Sequence, residues 1–331
     1  MGSDRIMNIR RIRIGTRGSI LALAQTELVE QAIKASFPDI EFERIIYKTE
    51  ADSNKRKPLV EFGGTGVFVK ELERALLDGE IDIAVHSAKD MPAMISEGLC
   101  IAGTLPRDDV RDVLVYRKEL GKSVDEITGS FTVGTGSPRR QSQLQELYPG
   151  FSCIGIRGNV PTRLNKVRNG ECDGVILASA GLKRLGLMEQ QEFSYHFFPE
   201  EEILPAGGQA IIAIEGRISD DVIPYIQAIS DETAYVELMA EQKILRGLNA
   251  GCHEPIAVRA RVEKDDILIS VAREVVVKED FAKSTSQMSS IKKDGDKFSL
   301  PLSNHRIDRI CKKGKVSGWE MLADEIVDTL I

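Results

Sequence analysis

The sequence predicts an α/β protein in which two related α/β units face one cleft and a smaller α+β unit follows. Three observations carry this. The chain opens on a strand, a glycine turn and a helix; a similar pattern recurs near residue 133; and two strand candidates near residues 255–277 precede a closing helix. The length of 331 residues is enough for two or three domains.

Residues 9–14 alternate β-branched side chains with arginine, as a strand does. Gly15-Thr16-Arg17-Gly18-Ser19 ends that strand, and Ser19 is placed to cap a helix starting near Leu21. Residues 41–47 form a second strand candidate, while residues 52–60, charged and containing Pro58, read as loop. Gly63-Gly64-Thr65-Gly66 leads into a helix over 67–77, where Val69, Leu72 and Leu76 recur at helical spacing. Residues 81–85 make a short strand, and His86-Ser87-Ala88-Lys89-Asp90-Met91-Pro92 follows at its carboxyl end, where open α/β sheets usually bind ligands.

The pattern then echoes. Val133-Gly134-Thr135-Gly136-Ser137 matches residues 14–19, and residues 170–178 match 79–85. The paired landmarks lie 64 residues apart in the first half and 36 in the second, which excludes identical tandem repeats. Crossovers between the units are expected near 104–112 and 199–205, the second followed by a strand over 210–215. A helix over 232–248, strands over 255–262 and 267–277, a loop over 278–297 (with edge pairing of part of it as the alternative) and a helix over 319–330 complete the expectation.

Composition narrows the function classes. At 42% hydrophobic and 29% charged residues, the chain is neither collagen-like nor wholly disordered. Five scattered cysteines (100, 153, 172, 252 and 311) do not suggest a disulfide framework, so a reduced, cytoplasmic setting is expected. The uncharged run 203–214 is about half of what a bilayer crossing needs, and no secretory leader is expected. A net charge of −7 and 5% aromatic residues argue against nucleic acid as a partner. Yet residues 131–184 carry eight Lys/Arg against three Asp/Glu, a local +5 that leaves −12 elsewhere. Such focused charge fits a specific anionic ligand; an unevenly charged solvated surface is the alternative.

Arginine is the clearest chemical signal. Arg17, Arg139, Arg140, Arg157, Arg163 and Arg184 adjoin strand-end loops or helix starts. A guanidinium fork matches a carboxylate or phosphate, and helix amino ends add backbone donors. Solubilising surface charge is the competing reading. Asp90 is the leading acid–base or cation-stabilising candidate, with Lys89 to balance it and His86 to move protons. Alternatively, His86 packs inward and Asp90 caps a turn. Cys252, followed by His253-Glu254-Pro255, is a nucleophile, an attachment point or an ordinary loop cysteine. No metal-ligand spacing, Walker motif, dinucleotide fingerprint or glycosidase carboxylate pair is evident, and no metal is expected.

The motifs taken together are more specific than any one. RIGTRGSILALAQ at 13–25, GGTGVFVKELE at 63–73, HSAKDMP at 86–92, VGTGSPRRQ at 133–141, IRGNVPTRL at 156–164, LPAGGQ at 204–209 and LNAGCHEP at 248–255 resemble, in this order, the porphobilinogen deaminase family. The resemblance spans most of the chain. It implies two periplasmic-binding-protein-like α/β domains around a cleft (8–105 with 206–225, and 106–205) and a smaller α+β domain over 226–331 that bears the cofactor.

It also implies hydroxymethylbilane synthase activity: four porphobilinogen molecules condensed head to tail on an enzyme-bound dipyrromethane primer, four ammonia released, then hydrolysis. Cys252 is the implied thioether attachment point. Asp90 is the implied stabiliser of the cation formed on ammonia loss, with Lys89 orienting substrate. Arg17, Ser19, Ser137, Arg139, Arg140, Arg157, Arg163 and Arg184 are the implied ligands of the acetate and propionate groups. The implied partners are porphobilinogen and the growing polypyrrole chain, with no nucleic acid or membrane, and the implied state is a monomer. The chain departs from the family pattern at Glu61, Thr65, Ala210 and His253-Glu254. A non-catalytic small-anion binder using the same cleft is the competing class.

Overall fold

A computed structural model describes residues 10–47, 66–188, 190–250, 254–276 and 305–331. The first sheet has the order β2 (Glu41–Tyr47), β1 (Arg11–Arg17), β3 (Ile83–Ser87), β10 (Ile212–Arg217), β4 (Leu99–Thr104). β1 runs parallel to both β2 and β3, while β10 is antiparallel to β3 and β4. Helix α1 (Ile20–Ser36) starts where Ser19 Oγ accepts the Ala22 N–H at 3.2 Å. It buries Val29 and Ile33 against Ile12 and Ile14 of β1. Helix α2 (Gly66–Leu77) packs Leu72 and Leu76 with Ile81.

The second sheet follows the same plan: β7 (Phe151–Ile154), β6 (Phe131–Gly134), β8 (Gly174–Ala178), β5 (Asp112–Arg117), β9 (Phe193–Phe197). Three parallel strands are joined by one that enters antiparallel from a crossover, and a fifth pairs antiparallel with it. The echo in the sequence therefore has a structural counterpart: Gly15 of β1 pairs with Ala84 of β3, and Gly134 of β6 with Val175 of β8. This sheet carries α3 (Pro138–Leu147), α4 (Val160–Arg168) and α5 (Ser179–Arg184).

Short α6 (Ile223–Ile229) packs on the first sheet. Beyond it, α7 (Glu232–Gly247) and α8 (Trp319–Leu330) share a core with the antiparallel sheet β11 (Ile256–Glu263), β12 (Asp266–Val276), β13 (His305–Lys315). Ala240, Ile244, Val258, Ile269, Leu322 and Ile326 lie at its centre. β13 is absent from the sequence expectation. Arg306, Asp308, Arg309, Lys312, Lys313 and Lys315 mask its period, and those charges suit an edge strand that must not pair further. The loop expected over 278–297 lies outside the described residues.

The two crossovers run side by side, with Leu105 N–H donating to Ile212 O at 3.1 Å and Asp108 N–H to Ala210 O at 3.3 Å. From the first crossover, the nearly buried Arg107 reaches Glu241 at 2.6 Å and Glu237 at 3.1 Å, both on α7. Arg259 of β11 shares Glu237 at 2.9 Å and pairs with Glu200 of the return crossover at 2.9 Å. Buried charges survive desolvation only when matched this closely, so the network ties both crossovers to the third sheet in one arrangement. Ala210, where a glycine was expected from the resemblance, takes φ +72° and packs with Val110 and Ala180. Its left-handed strain is on the order of 1–2 kcal/mol. A glycine would forfeit about 0.8 kcal/mol of methyl burial and gain unfolded-state entropy, so the two residues are nearly equivalent there.

Candidate active site

Both five-stranded sheets present the carboxyl ends of their parallel strands to the site. β1 ends on the half-buried Arg17, beside Ser19 at the start of α1. β3 ends in a single 3₁₀ turn, Ala88–Asp90, held by Ala88 N–H donating to Ile211 O at 3.0 Å and Met91 N–H to Ala88 O at 3.1 Å. Lys89 and Asp90 are half-exposed on it. Among the described residues no side chain hydrogen-bonds the Asp90 carboxylate, which leaves it available to a ligand. His86 faces away from this role. It is buried with Nε2 3.0 Å from Glu215 Oε2 on β10, so the inward-packing reading of His86 is the correct one.

The placement of that turn depends on Gly208. It has φ +74°, and a Cβ there would lie 2.8 Å from both Ala88 C and Lys89 N. Its N–H donates to Glu241 Oε2 at 2.6 Å, so it cannot easily retreat. Gly208→Ala is therefore expected to displace the Lys89–Asp90 turn, lowering activity at least tenfold together with Tm. Retention of wild-type activity and Tm would count against this contact.

The second sheet supplies the cations. Asn159 caps α4 by accepting Thr162 N–H at 3.0 Å, and this turn carries Arg157 and Arg163. Arg163 Nε donates to Gly158 O at 2.8 Å. Burial lowers the Arg163 pKa to about 10, with repulsion from Arg140 adding to the effect and Asp90 opposing it. Lys89 is lowered to about 8, first by desolvation and then by Arg140, against the pull of Asp90 and Asp112. Charges on β3's turn and on α3 and α4 thus feel one another across the two sheets. Arg184 ends α5 and donates to Ala210 O; burial lowers its pKa. The lobes also touch at Gly181 of α5, where a Cβ would lie 3.8 Å from Leu21 of α1.

Arg139 and Arg140, expected among the ligands of the acetate and propionate groups, are both buried on α3 and turned onto Asp112, the first residue of β5. Arg139 Nη2 donates to Asp112 Oδ2 at 2.8 Å, and Arg140 Nη2 and Nε to Oδ1 at 2.7 and 3.2 Å. Gln209 Nε2 adds a bond to Oδ1 at 3.0 Å. The reason is electrostatic: a fully buried carboxylate attracts any reachable cations. Burial alone would push the Asp112 carboxyl up, but the two guanidinium groups reverse this and hold it well below the usual carboxylate range.

An open pocket of about 90 Å³ lies where the three sheets' units meet. Lys89, Ser137 and Arg139 line it from the two large sheets, and Gln242, Ala250 and Glu254 from the third unit. Ser137 stands at the start of α3 without capping it. Cys252 lies outside the described residues, as do Glu61, Thr65 and His253, but Ala250 and Glu254 flank it at two residues on either side. Asp112, Gly208 and Gln242 were not anticipated from sequence. Asp112 reads there as an ordinary strand start, and only its unusual position before the apolar run Val113-Leu114-Val115 could have drawn notice. Among the described residues no group of His, Cys, Asp and Glu could hold a metal, and no helix is long and apolar enough to cross a membrane.

Fold and site together define a multi-domain α/β protein with a turn bearing Lys89 and Asp90 on one open sheet and clustered guanidinium groups on another. Residues 12–224 match the family model described as porphobilinogen deaminase, dipyromethane cofactor binding domain, and residues 235–301 match porphobilinogen deaminase, C-terminal domain. The chain belongs to the porphobilinogen deaminase family. It is 40% identical over 258 residues to porphobilinogen deaminase of Clostridium novyi, covering 78% of this chain and 86% of that protein. The Clostridioides difficile protein of the same name is 39% identical over 274 residues, 81% of this chain and 90% of that one. Among solved structures, the periplasmic VFT2 domain of Bordetella pertussis BvgS aligns with a TM-score of 0.40 and 16% identity, over 66% of this chain and 86% of that one. That likeness is too low to establish a shared fold.

Proposed function

We propose that this chain is a hydroxymethylbilane synthase, a transferase that joins four porphobilinogen molecules head to tail and releases four ammonia and, after hydrolysis, hydroxymethylbilane. The observation that carries the reading is geometric: Lys89, in the turn that ends β3, and Ser137 and Arg139, at the start of α3 on the other large sheet, line one pocket. Membership of the family supplies the reaction class.

Asp90 is assigned to the cation left when the aminomethyl C–N bond of porphobilinogen breaks and ammonia departs. A carboxylate fixed beside that carbon gains attraction as positive charge develops. Lys89, Arg17, Arg157, Arg163 and Arg184 are assigned to the acetate and propionate groups of substrate and growing polypyrrole, with Ser19 and Ser137 as neutral donors. Arg139, which lines the pocket, and Arg140 are assigned to the same groups, with Asp112 holding both guanidinium groups in place. Six rings at the longest stage bring 12 carboxylates, and one charge-assisted bond contributes on the order of 1.5–3 kcal/mol, so a dispersed set of cations is required.

The pocket suits part of the anionic dipyrromethane group: Lys89, Arg139, Ser137 and Gln242 line it with two cations, a hydroxyl and an amide. When bound through Cys252, dipyrromethane supplies the terminal pyrrole carbon from which the chain is extended. The shared strand plan of the two large sheets supports a periplasmic-binding-protein-like pair, over 8–105 with 206–225 and over 106–205, with a cofactor domain over 226–331. We assign the protein to the cytoplasm as a monomer.

The pH profile tests Lys89. Its ammonium is lost as pH rises through about 8, so kcat/KM for porphobilinogen should fall above that pH. Lys89→Arg, which stays charged, should flatten that limb through pH 9. Stability responds with the opposite sign: between about 8 and the usual lysine value the unfolded chain binds more proton, so folding gains as pH rises. A wild-type profile flat across pH 7–9, or one unaltered by the arginine, would contradict the assignment.

A further inference from the structure

We propose that Glu241 of α7 is a positioning residue that sets the place of the Lys89–Asp90 turn through the glycine pair Gly207-Gly208. The inference rests on the role given to Asp90 above. Glu241 is fully buried, and both of its oxygens meet donors. Oε1 accepts from Arg107 Nη1 at 2.6 Å and from Ala260 N–H at 2.8 Å. Oε2 accepts from Arg107 Nη2 at 3.2 Å and from Gly208 N–H at 2.6 Å. One carboxylate thus joins α7 and β11 of the third unit to both crossovers.

The glycines carry that position to the turn. A Cβ on Gly207 would lie 2.8 Å from Leu245 Cδ1 and 3.6 Å from Glu241 Cβ, so α7 packs directly on this residue. A Cβ on Gly208 would lie 2.8 Å from both Ala88 C and Lys89 N, so the turn rests on the next one. Backbone meets backbone there, with no side chain between them to absorb a shift. Gly208 O accepts Ile211 N–H at 3.2 Å, and Ile211 O accepts Ala88 N–H at 3.0 Å, which closes the contact from the other end. The Gly208 N–H is therefore fixed by α7 while the same residue bears on the turn. Glu237, one helical turn earlier, provides the comparison. It shares Arg107 at 3.1 Å and accepts from Arg259 at 2.9 Å and Val262 N–H at 3.0 Å. Its buried carboxylate belongs to the same network, but its bonds go to neither glycine.

Glu241→Gln and Glu237→Gln, compared for kcat and Tm and repeated in the Asp90→Ala background, test this. At position 241 the amide oxygen should keep the shorter Arg107 contact, because a charge-assisted bond outweighs a neutral one. The amide N–H then opposes the Gly208 N–H and pushes the glycine toward the turn. Both variants are expected to lower Tm alike, while Glu241→Gln alone lowers kcat, by about tenfold. In the Asp90→Ala background the same change should cost less than about twofold, since a misplaced turn matters through the group it carries. If Glu241→Gln does not fold, Arg107→Met with Glu241→Met takes its place in the Asp90 cycle. Both partners then become apolar, Glu237 keeps Arg259, and Gly208 still loses its acceptor. Equal kcat losses from Glu241→Gln and Glu237→Gln, or a tenfold loss repeated without Asp90, would mean that Glu241 serves stability alone, and would overturn the proposal. Near-normal turnover by Asp90→Ala itself would instead remove the functional reading on which it rests, and that single variant distinguishes the two failures.

Discussion

Asp112→Ala is expected to lower stability by about 3–5 kcal/mol, the range for removing one partner of a buried ion cluster. The carboxylate accepts from Arg139, Arg140 and Gln209, and both arginines are nearly inaccessible to water. Without Asp112, two cations would remain desolvated with only the Leu204 and Ile176 carbonyls to accept from them. Asp112→Asn keeps an acceptor but not the charge, and should fall between wild type and alanine. The acid dependence has a definite sign. Because the folded carboxyl is held far below its ordinary value, its contribution is fully present above the unfolded carboxylate pKa and is lost as pH falls through the folded value. Denaturant unfolding at pH 5 and 7 should therefore show the same Asp112 contribution. A loss below 1 kcal/mol in the alanine variant would contradict the cluster.

Asp90→Ala should leave the fold nearly intact and lower kcat on the order of 10²–10⁴-fold, the range for a removed acid–base or charge-stabilising group. Fold retention follows from its place: a half-exposed residue on a one-turn element, with no side-chain hydrogen bond among the described residues. Loss of rate follows from the lost charge, which the buried Glu215 on neighbouring β10 cannot replace because it is turned toward His86. Asp90→Asn preserves shape while removing charge, so it should be nearly as impaired as alanine. Near-normal turnover by either variant, measured on protein whose Tm is unchanged, would refute the role.

The fold was legible where local chemistry alone decides it. The strand Glu41–Tyr47 and the helix Trp319–Leu330 match their expected limits because β-branched and aromatic clustering in one, and apolar spacing in the other, are local signals. The first strand, expected over 9–14, is Arg11–Arg17, because parallel pairing with β2 carries it into the glycine turn. β13 was hidden by its own edge charges. At the site, the turn bearing Lys89 and Asp90 was readable from its place after a strand. The fate of Arg139 and Arg140 was not: their partner Asp112 lies 27 and 28 residues earlier, and no local pattern reveals a contact made by crossing strands. Gln242 was equally hidden, as one polar residue among several on an amphipathic helix.

The proposed function requires a pyrrole chain anchored at residue 252 and extended beside Asp90. Intact mass of the native protein, before and after limiting porphobilinogen, with the modified peptide sequenced, tests it most directly. The expected result is a resting adduct on Cys252 and a ladder of one to four added pyrrole units, which Asp90→Ala stalls. An unmodified Cys252 in a preparation that nonetheless turns over porphobilinogen, or an adduct on another residue, would contradict the account.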